Sequence, residues 1–199
     1  MRALILSDSH GKVTDVKAAI IQAGDFDVLV HLGDIECSKS AITSLVDCPT
    51  YIVAGNCDRY SDLPAYASFE FGDKKIFASH GHNYYIDLGP QRYELFAEEN
   101  GFDVALFGHT HRPFYDKGER VTLFNPGSIS YPRTEDRKRT FGIMELDDKG
   151  ELHFNIAEAL PTFKVLEEYE SLKAEGEYDN EKDIASGAIK RLLKILRNH

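Results

Sequence analysis

Asp8-Ser9-His10 follows the apolar run Ala3-Leu4-Ile5-Leu6 and precedes Gly11. In an extended chain, side chains two apart share a face. Asp8 and His10 are therefore expected to project together, with Ser9 turned away. A carboxylate and an imidazole aimed at one point suit a divalent metal. His109-Thr110-His111 repeats this logic with two imidazoles, and Asp34, Asn56 and His80 each stand just after an apolar run. Gly33, Gly55, Gly81 and Gly108 flank these positions, permitting sharp turns and close backbone approach. Together Asp8, His10, Asp34, Asn56, His80, His109 and His111 offer more donors than one tetrahedral ion takes. They suit two ions sharing a bridging carboxylate, and Asp34, the lone carboxylate between the two groups, is the expected bridge. Imidazole combined with carboxylate favours Mn²⁺, Fe, Zn²⁺, Co²⁺ or Ni²⁺ over Mg²⁺ or Ca²⁺, and no thiolate set points to structural zinc.

The elements that must carry these residues are legible as apolar runs and periodicities. Ala3–Leu6, Phe26–Leu32 and Tyr51–Ala54 are too short for helices and end in turn residues, which predicts buried strands. Between them, Val13, Val16, Ala19 and Ile20 recur at helical spacing up to Gly24, and a second helix is expected over Ser38–Val46. Strand, helix, strand, helix, strand predicts parallel pairing with right-handed crossovers. Such sheets place sites beyond their C-terminal strand ends, where Asp8, Asp34 and Asn56 fall. Tyr66–Phe71 and Lys75–Ser79 read as a hairpin at Gly72-Asp73. A helix is expected over Pro90–Asn100, closed by Gly101, and a strand over Phe102–Phe107. Phe114-Tyr115 with Arg120–Phe124 reads as a hairpin, Asn125-Pro126-Gly127-Ser128 as a tight loop, and Thr140–Leu146 with Leu152–Ala157 as a last hairpin. From Pro161 the chain is charged and helical in character. Its final helix, expected over Asn180–Asn198, carries Ile184, Ala188, Leu192 and Ile195 or Leu196 on one face. That face suits packing on the domain or, less favoured, a homo-oligomer contact.

With 42% hydrophobic residues in 199, the chain can bury one sizeable core. Its net charge of −10 favours solubility and disfavours nucleic-acid binding. Cys37, Cys48 and Cys57 form no Cys-x-x-Cys pair, which fits a reducing compartment. No apolar run is long enough to span a membrane, and the first strand starts at once, leaving no room for a signal peptide. A cytoplasmic location is the expectation.

Asp-x-His, Gly-Asp, Gly-Asn-x-Asp, His-Gly-His and Gly-His-x-His, in that order, resemble the calcineurin-like metallophosphoesterase superfamily. The single-domain size and the Asn125–Ser128 loop resemble its small prokaryotic phosphodiesterase branch. The likeness covers roughly residues 1–158. It implies an α/β fold, a four-layer αββα sandwich of two mixed β-sheets flanked by helices, over residues 1–160, with a helical C-terminal extension over 161–199. It further implies that Asp8, His10 and His111 hold a first metal and Asn56, His80 and His109 a second, with Asp34 bridging. A hydroxide between the ions would attack the phosphoester in line, with Asp34 and Asn56 in the catalytic set. The substrate class would be a small-molecule phosphoester. The family's third motif usually reads Gly-Asn-His, whose histidine contacts the substrate phosphate and can act as general acid. Here Cys57 stands in that place, and a neutral thiol is a weaker donor than an imidazolium.

Arg59 and Arg133 are candidates to meet a substrate phosphate, because arginine offers a bidentate fork. His31 is expected to be a near-core histidine, His82 a support for His80, and His153 structural. Asn125 and Ser128 could support the metal loops or simply make a turn. The leading function is a phosphodiesterase. Its rivals are a phosphomonoesterase or dinucleotide polyphosphate hydrolase, a catalytically weak interaction scaffold, and, disfavoured by charge, a DNA nuclease.

Overall fold

The computed structural model describes residues 1–59, 61–176, 178 and 180–197; Asn198, the expected end of the last helix, lies outside them. Strands β1 (Arg2–Leu6), β2 (Val28–His31) and β3 (Thr50–Ile52) alternate with helices α1 (Val13–Ala23) and α2 (Lys39–Thr43). β1–β2 and β2–β3 pair in parallel. The expected hairpin is β4 (Tyr66–Phe71) with β5 (Lys74–Ser79). Then come α3 (Gln91–Glu99), β6 (Val104–Leu106), the hairpin β7 (Pro113–Asp116) and β8 (Thr122–Pro126), and the hairpin β9 (Thr140–Leu146) and β10 (Leu152–Glu158). Helices α4 (Thr162–Glu175) and α5 (Glu181–Arg197) complete the chain.

The strands form two mixed five-stranded sheets, ordered β10-β9-β1-β2-β3 and β4-β5-β6-β8-β7. After Arg2, β1 is wholly apolar because it is covered on both faces. Its alternate residues Ala3 and Ile5 pack with Phe69, Phe71, Ile76, Leu106 and Phe124 between the sheets. Leu4 and Leu6 face the other way, against Val16 and Ala19 of α1 and Ile42 of α2. On the far side, Phe77, Ala105 and Leu123 pack under Tyr93 and Ala97 of α3. Each buried Leu, Ile, Val or Phe among them contributes about 1.5–3 kcal/mol. This is the expected four-layer sandwich, and α4 and α5 add a further helical layer on Ala18 and Ile21 of α1.

Several expected boundaries move. The second helix stops at Thr43 because the next N–H groups, at Leu45 and Val46, bond three residues back, to Ile42 and Thr43, as a tightened turn. Asn125 and Pro126 are not loop: they finish β8 and pair with Phe114 and Pro113. In α5, Asn180 caps the first turn, its Oδ1 accepting the Asp183 N–H at 2.9 Å. Ile184, Ala188 and Leu192 are buried as the periodicity implies, but Ile195 and Leu196 in the last turn are exposed.

Leu192 is 1% exposed in the α1–α4–α5 cluster. Leu192→Ala is expected to cost about 2–5 kcal/mol, measured as a lower urea midpoint by circular dichroism. An unchanged midpoint would mean that the outer helical layer adds nothing to stability.

Candidate metal centre

The donors sit just past the ends of β1, β2, β3, β5 and β6, where the C-terminal edges of the two stacked sheets meet. One donor atom each from Asp8, His10, Asp34 and His111 lies within 4.8 Å of the others. His111 Nε2 is 3.2 Å from Asp8 Oδ1 and 3.4 Å from His10 Nε2. His80 Nε2 is 3.4 Å from Asp34 Oδ2 and 3.1 Å from Asn56 Oδ1. The His109 ring is 5.1 Å from that of His80. Asp34 therefore lies between a group made of Asp8, His10 and His111 and one made of Asn56, His80 and His109.

The route to this convergence differs from the extended alternation expected of Asp8-Ser9-His10 and His109-Thr110-His111. Asp8, His10, Asp34, His109 and His111 all have left-handed backbone, with φ of 55°, 43°, 52°, 67° and 56°. Non-glycine residues resist this region, although Asp and His tolerate it better than most. The bends are held by bonds between loops. The N–H groups of Asp8, His10 and Gly11 donate to the carbonyls of Gly33, Asp34 and Ile35. The Asp58 carboxylate accepts the N–H groups of Ile35, Glu36 and Gly55, which ties the β2 loop to the β3 loop. Gly55 has no alternative, since a Cβ there would collide with the Asp34 carboxylate. A Cβ at Gly33, whose φ is +96°, would lie 2.7 Å from Gly55 N.

Each imidazole is anchored by its second nitrogen. His80 Nδ1–H donates to Leu32 O at 2.7 Å, and His111 Nδ1–H donates to Tyr131 O. His10 Nδ1 bonds Glu36 Oε2 at 3.0 Å, and His109 Nε2 bonds Asp87 Oδ2 at 2.7 Å. Metal-binding histidines are held in this way, which fixes the tautomer and the ring plane. It leaves Nε2 of His10, His80 and His111, but Nδ1 of His109, free to ligate. Glu36 and Asp87 had no signature in the sequence beyond being acidic residues near the motifs.

The electrostatics call for a cation. Asp8 is fully buried, and neither of its oxygens takes a directed hydrogen bond. Burial would raise its carboxyl, but His111 and His80 beside it hold it below the usual carboxylate range. Burial also opposes the charge on Asp34, and His80 together with the Cys57 N–H outweighs it, so this carboxyl is lowered too. Burial works against protonating His80 and His111, yet Asp34 and Asp8 raise His80 and Asp8 raises His111. Two anionic carboxylates with imidazole nitrogens turned toward them fit divalent ions of the transition series. Because a metal must displace protons from these histidines, its hold weakens as pH falls.

The remaining sequence candidates divide. Ser9 turns inward to His31, Oγ to Nε2 at 3.0 Å, and burial lowers His31 to about 4; it supports the β1 loop from the core. Ser128 Oγ donates to Asp8 O, and Asn125 Nδ2 donates to Gly108 O, so both brace metal loops. The His82 ring is 5.4 Å from that of His80, and His153 pairs with Asp147 far off on the last hairpin. Cys57 is exposed; burial of its sulfur and the neighbouring Asp34 push its thiol up to about 11. Arg133 lines a cleft that includes His10 and His111. Arg59 lies instead on a second cleft, with Cys57 and Asp62, its Nε 3.4 Å from Asn56 O.

Residues 1–149 match the calcineurin-like phosphoesterase superfamily domain. YsnB of Bacillus subtilis, named a probable metallophosphoesterase, is 32% identical over 151 residues, 74% of this chain and 86% of its own. MJ0936 of Methanocaldococcus jannaschii, named a phosphodiesterase, is 26% identical, over 64% of this chain and 83% of its own. The crystal structure of a conserved protein of Streptococcus pneumoniae, described as a predicted phosphoesterase, superposes with a TM-score of 0.67 at 27% identity. That likeness covers 79% of this chain and 97% of the other.

If Glu36 and Asp87 orient metal ligands, Glu36→Gln and Asp87→Asn should each weaken Mn²⁺ binding about 10–100-fold. Competition titration against a chelating dye checks this, and wild-type affinity in both variants would contradict it.

Proposed function

The chain belongs to the calcineurin-like phosphoesterase superfamily, and on that premise we propose that it is a phosphodiesterase working with two divalent ions, Mn²⁺ foremost. Asp8, His10 and His111 would hold one ion and Asn56, His80 and His109 the other, with Asp34 shared between them. The observation that carries this reading is the Asp8 carboxylate, buried with neither oxygen in a directed hydrogen bond and 3.2 Å from the imidazole of His111, whose other nitrogen is already anchored. The relative named a phosphodiesterase supports the choice of diester over monoester. We assign residues 1–160 to the catalytic unit and 161–199 to a helical extension packed on it, and we place the protein in the cytoplasm. Among the described residues no helix is long and apolar enough to cross a membrane.

Bound ions would supply a polarised water and offset charge on the phosphoryl oxygens. The chain's own contribution is positional. The lowered Asp34 carboxyl keeps a full negative charge between the two groups at neutral pH. Its other oxygen, Oδ1, is fixed by the Cys57 N–H at 2.7 Å, so the carboxylate cannot swing. Arg133, on the cleft shared with His10 and His111, offers a fork to the incoming phosphate. Arg59, on the Cys57 side, is the second candidate for that role. Cys57 presents a neutral thiol, a weak donor to a phosphoryl or leaving-group oxygen.

Two variants and a substrate panel test the reading. Asp34→Asn removes the joining charge and should lose bound metal and most activity; full activity with wild-type metal content would refute its role. Cys57→His restores a proton donor, so turnover of an ester with a poor leaving group should rise, on the order of 100-fold if the imidazole becomes a positioned acid. Unchanged kinetics would deny position 57 any part. The panel sets bis(4-nitrophenyl) phosphate against 4-nitrophenyl phosphate, each with Mn²⁺, Fe²⁺, Zn²⁺, Co²⁺ and Ni²⁺. Faster diester cleavage is expected, and hydrolysis of neither ester would refute the enzyme.

A further inference from the structure

A cleft of about 1070 Å³ opens from His10 and His111 and runs along residues 130–139 to Pro161. Tyr131 stands at its inner end, 48% exposed, its ring edge-on to that of His10 at 5.4 Å. Lys12 Nζ lies 5.9 Å from the centre of the same ring. Most charged groups along this cleft are already engaged. Glu36 bonds His10, Glu158 pairs with Lys138 at 2.7 Å, and Asp136 accepts the Lys138 N–H. Arg139 is bound to Asp15, Thr162 and the Leu160 carbonyl. The guanidinium groups of Arg133 and Arg137, by contrast, have no hydrogen bond or ion pair among the described residues.

Arg137 carries a second signal. Its backbone is left-handed, φ 55°, in a turn closed by its N–H to Thr134 O. A long side chain at such a position is strained where glycine would be free. Strained residues cluster where binding uses them. In a protein of net charge −10, two unpaired guanidiniums and an exposed ring beside a phosphate-handling centre are placed for an anionic ligand.

We infer that this cleft binds the remainder of the substrate, and that this remainder carries a further anionic group and a flat ring, as a nucleotide does. Arg137 takes this further anion with its fork, beside the Arg133 that meets the scissile phosphate, and Tyr131, backed by Lys12, gives the ring a stacking surface. The cleft is large enough for a ligand of that size. The inference rests on the phosphodiesterase reading and narrows its substrate class.

Calorimetric titration of the full-length protein with Mn²⁺ tests it, using α,β-methylene-ADP, methylenediphosphonate and adenosine. The nucleotide analogue is expected to bind more tightly than either fragment. Arg137→Gly should weaken its binding about tenfold or more. Glycine accepts the left-handed backbone, so the Tm of this variant should be unchanged or raised, and weaker binding would not reflect misfolding. Tyr131→Ala should weaken the nucleotide analogue more than methylenediphosphonate. Nucleotide binding that ignores both variants, or that merely equals that of methylenediphosphonate, would place the ligand on the metals alone and overturn the inference. Hydrolysis of bis(4-nitrophenyl) phosphate by the same preparation separates the two readings. Activity without Arg137-dependent nucleotide binding overturns only this inference, whereas absence of activity on any ester overturns the phosphodiesterase.

Discussion

Asp8 brings a negative charge into the interior, and neither carboxylate oxygen takes a directed hydrogen bond. Left so, a buried charge costs several kcal/mol. Asp34, 2% exposed, adds a second carboxylate a few ångströms away. Neighbouring imidazoles answer part of this charge, but they can do so only by holding protons that a metal would displace. The arrangement is sensible only around cations, and much of the fold can be read as the means of enforcing it. The two sheets stack so that their C-terminal edges meet, Asp8, His10, Asp34, His109 and His111 have left-handed backbone, and hydrogen bonds between loops hold the bends at Asp8, His10 and Asp34. The dense packing between the sheets supplies the stability against which that strain is held.

The fold was legible because short apolar runs bounded by glycine and polar turns can hardly be anything but buried strands. The sandwich itself came from the motif resemblance, and the structure agrees with it. Boundaries were less legible. Ser38–Val46 has helical composition throughout, but only contact with the sheet decides where the α-helix tightens and stops. Asn125-Pro126 has turn chemistry, yet its pairing with β7 makes it strand. At the site, the ligand types and their order were visible, and the local geometry was not. Extended alternation predicts that Asp8 and His10 share a face, whereas the chain brings them together through positive φ angles that no periodicity encodes. Glu36, Asp87 and Tyr131 were invisible as site residues, because an acidic or aromatic residue next to a motif looks like any other until its partner is known.

The C-terminal helices connect to the centre more closely than their sequence suggests. Asp15 of α1 accepts hydrogen bonds from Ser130, Arg139 and Thr162. One partly buried carboxylate thus fastens the loop that carries Tyr131, Arg133 and Arg137 to the start of α4. The same loop supplies the carbonyl that orients His111. Packing of the outer helices on α1 therefore steadies both His111 and the wall of the cleft beside it. This gives the extension a physical part in the site through α1 and the start of α4.

We propose that one cluster of side chains from five strand ends holds two ions joined by Asp34. Anomalous diffraction from crystals grown with Mn²⁺ tests it most directly. The account predicts two peaks, one among Asp8, His10 and His111 and the other among Asn56, His80 and His109, both in contact with Asp34. A single peak, or a second ion bound without Asp34, would contradict it.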